Sequence, residues 1–94
     1  MTIEERKTAL VFGGARGIGA ASVERLAKDG YDVAFTYVSR PDSAQALVSE
    51  IEKSGRRAVA VQADSADVDA IRGAVAKTVD IFGPIDAVVV NTGI

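Results

Sequence analysis

Short apolar runs alternate with longer stretches in which apolar residues recur every three or four positions, from one end of the chain to the other. Thr8-Ala9-Leu10-Val11-Phe12 is such a run, stopped by Gly13-Gly14, and reads as a buried strand. A helix is expected from about Ile18 to Lys28, with Ile18, Ala21, Leu26 and Ala27 among its apolar positions and Gly30 as its stop. Asp32 to Val38, rich in β-branched and aromatic residues, predicts a second strand. The turn Ser39-Arg40-Pro41-Asp42 opens a second helix, whose Ala44, Leu47, Val48 and Ile51 share one face and which ends at Gly55. Arg57 to Ala63 predicts a third strand. A third helix begins near Ser65 or Asp67, either able to cap it, and carries the stripe Val68, Ile71, Val75, Val79 and Phe82 before Gly83-Pro84 closes it. Ile85 to Val90 predicts a fourth strand, with Asn91-Thr92-Gly93 just beyond.

Strict βαβαβαβ alternation with short connections implies an α/β domain on an open parallel sheet with right-handed crossovers. Two crossovers carry the chain away from the first strand, and the third returns past it. The predicted strand order is therefore 3-2-1-4, a Rossmann-type arrangement with the first two helices on one face and the third on the other. Ligands bind such sheets at the carboxyl ends of the strands, where the order reverses, here between the first and fourth strands.

Composition narrows the functional classes. The 94 residues are 48% hydrophobic and 26% charged, as in an ordinary small globular domain. A net charge of −2 argues against a nucleic-acid partner, which requires a strongly basic face. The chain has no cysteine and no histidine, so thiolate metal sites, disulfides, thiol nucleophiles and a histidine base are ruled out. The start Met1-Thr2-Ile3-Glu4-Glu5-Arg6-Lys7 has no apolar core of a signal peptide, and no apolar run nears the ~20 residues that cross a bilayer. A cytoplasmic protein with no membrane partner is expected.

The candidate chemistry lies in Gly13-Gly14-Ala15-Arg16-Gly17-Ile18-Gly19, between the first strand and first helix. A pyrophosphate needs a closely approaching backbone with amide groups aimed from a helix N-terminus. Gly13 permits the tight turn, and Gly17 and Gly19 remove Cβ atoms that would block the phosphates or the helix–strand contact. A glycine triplet alone is weak evidence; after a buried strand and inside a βαβ unit it points to a dinucleotide. An NAD site places an acid at the end of the second strand to accept from the ribose 2′-hydroxyl. Here that strand runs out through Tyr37, Val38, Ser39 and Arg40, with no acid until Asp42. Arg16 and Arg40, converging near the ribose, suit a 2′-phosphate, which favours NADP(H) over NAD(H). Arg40 read by itself is also an ordinary solvated loop charge.

Val11-Phe12-Gly13-Gly14-Ala15-Arg16-Gly17-Ile18-Gly19 resembles the Thr-Gly-x-x-x-Gly-Ile-Gly signature of the short-chain dehydrogenase/reductase family. Three further stretches agree in order. Ala63-Asp64-Ser65 resembles the family's Asp-Val step, Phe82-Gly83-Pro84-Ile85-Asp86 its lead-in to the fourth strand, and Val90-Asn91-Thr92-Gly93 its Asn-Asn-Ala-Gly motif. The resemblance runs from about Thr8 to Ile94. It implies that Asp64 and Ser65 hold the adenine and that Asn91 and Gly93 lie along the adenosine ribose, with Thr92 between them counted in the cofactor-binding set. The lesser alternative is that Asp64 only caps the third helix. Phe12, Ala15, Ser65, Val90 and Thr92 depart from the family pattern, and Val90 replaces an asparagine that ties strands together.

The resemblance also implies a catalytic Ser and a Tyr-x-x-x-Lys pair beyond the fourth strand. Neither tyrosine here fits, since Tyr31 is followed four residues on by Phe35 and Tyr37 by Pro41. No catalytic residue is assigned. Residues 1–94 are expected to form a single partial NAD(P)-binding domain, truncated before the catalytic region, of an NADPH-dependent carbonyl reductase or alcohol dehydrogenase like the 3-oxoacyl reductases. A branch of cyclic-di-GMP-binding biofilm-dispersal proteins offers the alternative of a non-catalytic nucleotide-binding regulator. A homo-oligomer through the exposed fourth strand or open sheet face is expected, because Ala87 to Val90 carry nothing that protects an edge.

Overall fold

The computed structural model describes residues 7–13, 17–64 and 66–91. Seven elements follow in order: β1 (Lys7–Phe12), α1 (Gly17–Lys28), β2 (Tyr31–Tyr37), α2 (Pro41–Lys53), β3 (Ala58–Gln62), α3 (Val68–Phe82) and β4 (Ala87–Val90). The sheet is parallel throughout with order β3-β2-β1-β4, as the alternation predicts. Gly30, Gly55 and Gly83 follow the three helices. Among the described residues, no helix is long and apolar enough to cross a membrane.

The period of two along each strand sorts the core into two layers. Val11, Val33 and Phe35 point to one face and are covered by Val23 and Ala27 of α1 and Ala44, Leu47, Val48 and Ile51 of α2. Leu10, Phe12, Ala34 and Val61 point to the other, where Ala74 of α3 packs on them. The first two helices thus share one face and the third takes the opposite one.

Two helix stripes differ from expectation. In α1 the buried positions are Gly19, Val23 and Ala27, while Ile18 and Ala21 face outward. In α3 the predicted stripe is rotated. Ala74 and Thr78 are buried, Ile71 and Phe82 are partly so, and Val68, Val75 and Val79 are exposed. The arc of apolar residues on α3 is wider than one contact face. Its small members lie against the sheet, where they allow close approach, and Thr78 satisfies its hydroxyl by donating to the Ala74 carbonyl at 2.7 Å. Val88 and Val90 of β4 pair with Leu10 and Phe12, so they lie on the α3 face of the sheet, and they too are exposed. Asp67, one of the two predicted caps, accepts from the amides of Asp69 and Ala70.

The amino ends of the strands are locked by polar pairs. The Thr8 amide donates to the Asp86 carboxylate at 2.8 Å while the Asp86 amide donates to the Thr8 carbonyl at 2.8 Å, which fixes the register of β1 against β4. Asp32 is buried and pairs with Arg57, whose Nε donates to it at 3.1 Å and whose guanidinium lies 4.9 Å from the centre of the Phe82 ring. Arg57→Ala leaves that carboxylate buried without its partner. We expect a loss of about 2 kcal/mol, because a charged hydrogen-bonding group is stranded out of water, read as a shift of the urea midpoint at unchanged slope.

Candidate functional site

At the carboxyl edge, β1 ends in Gly13, which adopts a left-handed φ of 77° and turns the chain toward α1. Its peptide is held on several sides. The Gly13 amide donates to Thr36 Oγ1 of β2 at 2.9 Å. The Gly13 carbonyl accepts from Asn91 Nδ2, just past β4, at a long 3.5 Å, and the Asn91 amide donates to the Phe12 carbonyl at 2.9 Å. Gly19 of α1 closes the third side. A Cβ at Gly19 would overlap the Gly13 carbonyl oxygen outright and stand 2.8 Å from Asn91 Nδ2. The first turn of α1 is therefore pressed onto the ends of β1 and β4, which is possible only for glycine.

Gly17 has a different need. Its φ is 61°, and a Cβ built on it would have nothing within 4 Å, so conformation rather than clearance from the protein calls for glycine there. The space in front of it is open. Ile18, in the first turn of α1, is 77% exposed.

The β2 edge of the site is formed by the loop that follows Tyr37. Arg40 caps α2 in a left-handed conformation, φ 68° and ψ 60°, with no side-chain capping bond. It is the one non-glycine residue with positive φ among those described. Gln62 Nε2 donates to the Val38 carbonyl at 3.0 Å and so anchors this loop to β3. Ser39 and Arg40 are exposed. Tyr37 is half-buried, with its side chain packed against the α1–α2 core layer and its carbonyl accepting from the Ala63 amide at 2.9 Å. Asp64, after β3, does not cap α3. Its carboxylate accepts from the Ala66 amide at 2.9 Å and its carbonyl from the Asp67 amide at 2.9 Å, shaping the loop that leads into the helix.

Of the sequence-predicted site residues, Gly13, Gly19 and Asn91 come into direct contact. Gly17, Ile18, Tyr37, Ser39, Arg40 and Asp64 stand at the same carboxyl edge. Ala15, Arg16, Ser65, Thr92 and Gly93 lie outside the described residues. Thr36 and Gln62 were not singled out from the sequence. Threonine in a strand reads as ordinary β-propensity, and Gln62 makes its contact across 24 positions with no local signature.

A buried strand, a glycine turn pressed on a helix N-terminus and a parallel strand order that reverses at that point define an α/β domain of the Rossmann type. The sequence model of the short chain dehydrogenase family matches residues 7–94, and the chain belongs to that family. It is 45% identical over its whole length to L-rhamnose 1-dehydrogenase (NAD(P)(+)) of Sphingomonas sp. (strain SKA58), covering 37% of that protein. It is 41% identical over 88 residues, 94% of this chain, to the 3-oxoacyl-[acyl-carrier-protein] reductase FabG of Staphylococcus aureus, covering 36% of it. Among solved structures, a dehydrogenase/reductase of Sinorhizobium meliloti 1021 superposes with a TM-score of 0.91 at 53% identity, over 94% of this chain and 35% of that one. A short chain dehydrogenase of Burkholderia cenocepacia J2315 in complex with NADP superposes at 0.90 with 57% identity, over 94% of this chain and 36% of that one. The chain thus spans little more than a third of the length of these relatives.

Proposed function

We propose that this chain is the NADP(H)-binding part of a short-chain dehydrogenase, one partial Rossmann domain over residues 1–94. The observation that carries the reading is the cradle at the switch point. Gly13, Gly19 and Asn91 are packed too closely for any side chain at position 19, and open space lies in front of the left-handed Gly17. Such a cradle fits a pyrophosphate received by the first amides of α1. Ile18 would lie against the bound dinucleotide, with Asp64 and Ser65 at the adenine, Asn91, Thr92 and Gly93 along the adenosine ribose, and Ala15 in the phosphate loop. Tyr37 and Ser39 border the ribose, and Arg16 and Arg40 take the 2′-phosphate. The bound group would supply hydride chemistry; these residues hold and orient it. Support for the phosphate comes from the Burkholderia cenocepacia relative, which holds NADP.

Titration with NADPH, NADH and cyclic-di-GMP, followed by fluorescence or calorimetry, tests the reading. NADPH is expected to bind most tightly. Tighter binding of NADH refutes the role of the two arginines, and binding of cyclic-di-GMP alone replaces the reading with a regulator. Nothing in the site favours that second outcome.

The activity extends by analogy with the reductase and dehydrogenase relatives to reduction of a carbonyl compound by the whole protein. Neither tyrosine of these 94 residues is followed four positions on by a lysine, so a polypeptide of this sequence lacks the family's Tyr-x-x-x-Lys pair. Positioned proton transfer is worth about 10²–10⁴-fold, so we expect no carbonyl-dependent NADPH oxidation above background. Measurable turnover by the purified polypeptide contradicts this.

The open side of β4 is the expected route to self-association. Val88 and Val90 are 55% and 69% exposed and border a free strand edge. Val88→Lys is expected to shift the 94-residue polypeptide toward monomer in sedimentation velocity, with its circular dichroism retained. A wild-type polypeptide that sediments as a stable monomer removes the basis for this.

A further inference from the structure

We infer that Thr36 is a positioning residue of the dinucleotide cradle, an inference that rests on the function proposed above. Backbone pairing of β1 with β2 runs up to Val11 and Phe35. Two residues beyond Val11 the chain turns at Gly13, and its amide meets a side chain instead of a backbone carbonyl. Thr36 Oγ1 accepts that amide at 2.9 Å, and Thr36 is only 1% exposed. A buried amide left unmatched is costly, so the hydroxyl fixes where the strand stops and the phosphate loop begins.

The consequence for the site is directional. The Gly13 amide is engaged by β2 and its carbonyl faces Asn91, so Gly13 offers neither group to a ligand. The anion is then received by amides beyond Gly13, toward the start of α1. By fixing the Gly13 amide, Thr36 also positions the residue whose carbonyl packs against Gly19, and so bears on how closely α1 approaches β1 and β4. The γ-methyl of threonine suits a buried strand, while the hydroxyl does what valine at that position cannot.

The test compares Thr36→Val, which keeps shape and removes the acceptor, with Thr36→Ser, which keeps the acceptor. Dissociation constants for NADPH and NADH are measured on the intact protein, together with hydrogen exchange at the Gly13 amide by ¹⁵N NMR. Thr36→Val is expected to weaken both dinucleotides about tenfold, the equivalent of one lost hydrogen bond, with their ratio unchanged. It should also lose protection at Gly13, and Thr36→Ser should restore both. Binding within twofold of wild type by Thr36→Val overturns the inference, as does Thr36→Ser weakening as much as valine. Should Thr36→Val not fold, the serine variant and the wild-type Gly13 amide still decide, because weak binding by the first or fast exchange in the second is incompatible with the role. If the wild type binds no dinucleotide, the proposed function fails, and protection at Gly13 alone judges whether Thr36 anchors the loop.

Discussion

Arg40→Ala is expected to weaken NADPH binding at least tenfold while leaving NADH binding within about twofold. A guanidinium gripping a phosphate contributes roughly 1.5–3 kcal/mol, and NADH has no 2′-phosphate for it to hold. Arg40 is exposed and makes no capping bond to α2, so its loss removes little from the fold. Its backbone adds a second, separable effect. A non-glycine residue at φ 68° carries steric strain, here just before Pro41. Arg40→Gly should therefore stabilise the fold by up to about 1 kcal/mol while losing NADPH as alanine does. Dinucleotide titrations and denaturant melts on the two variants separate strain from recognition. An equal loss of NADPH and NADH in Arg40→Ala rules out a 2′-phosphate contact.

Of Gly17, Gly19, Gly55, Gly73 and Gly83, Gly19 is where an added methyl should do most damage. The added carbon overlaps the Gly13 carbonyl, and that oxygen is backbone of a residue tied by its amide to Thr36 and by its carbonyl to Asn91, so it cannot swing aside as a side chain would. Forced overpacking costs about 1–3 kcal/mol where neighbours give, and we expect the upper end or beyond here. Small domains have only about 5–15 kcal/mol in total, and a loss of about 3 lowers the melting temperature by roughly 10–20 °C. Dinucleotide binding should vanish with it, since the cradle and the helix N-terminus move together. Gly73→Ala is the matched control. It lies mid-helix in α3 with nothing within 4 Å of an added Cβ, so it should stabilise by about 1 kcal/mol. Gly19→Ala melting with the wild type would mean that α1 does not press on β1 as described.

The fold was legible because its signals are periodic and mutually consistent. Four short apolar runs separated by three helical patterns leave few topologies, and the order β3-β2-β1-β4 follows from chain handedness. Helix facing was less legible. On α3, valines and small residues compete for one sheet surface, and hydrophobicity alone assigned the valines inward, whereas Ala74 and Thr78 are the buried ones. On α1, Ile18 looked like core and is exposed beside the glycine turn. The glycine spacing pointed to the cradle, but its polar supports did not show. Thr36 reaches Gly13 across 23 positions, and Gln62 reaches Val38 across 24, through contacts that exist only once the strands are side by side. The left-handed Arg40 was equally hidden, since arginine before proline carries no mark of positive φ.

β1, one of the two inner strands of the described sheet, precedes both of its neighbours in the chain, and they arrive at very different times. β2 follows β1 after a single helix, whereas the Thr8–Asp86 lock joins residues 78 positions apart. While translation proceeds, β1 can pair on the β2 side but keeps its other row of amides and carbonyls open until β4 has been made. Contacts this distant in sequence form late and slowly. Pairing of these strands therefore proceeds from the β3-β2-β1 side, and Asn91 reaches the Gly13 carbonyl only after β4 has been made. Among the described residues, the anion cradle is thus the last part to become complete as the chain is made.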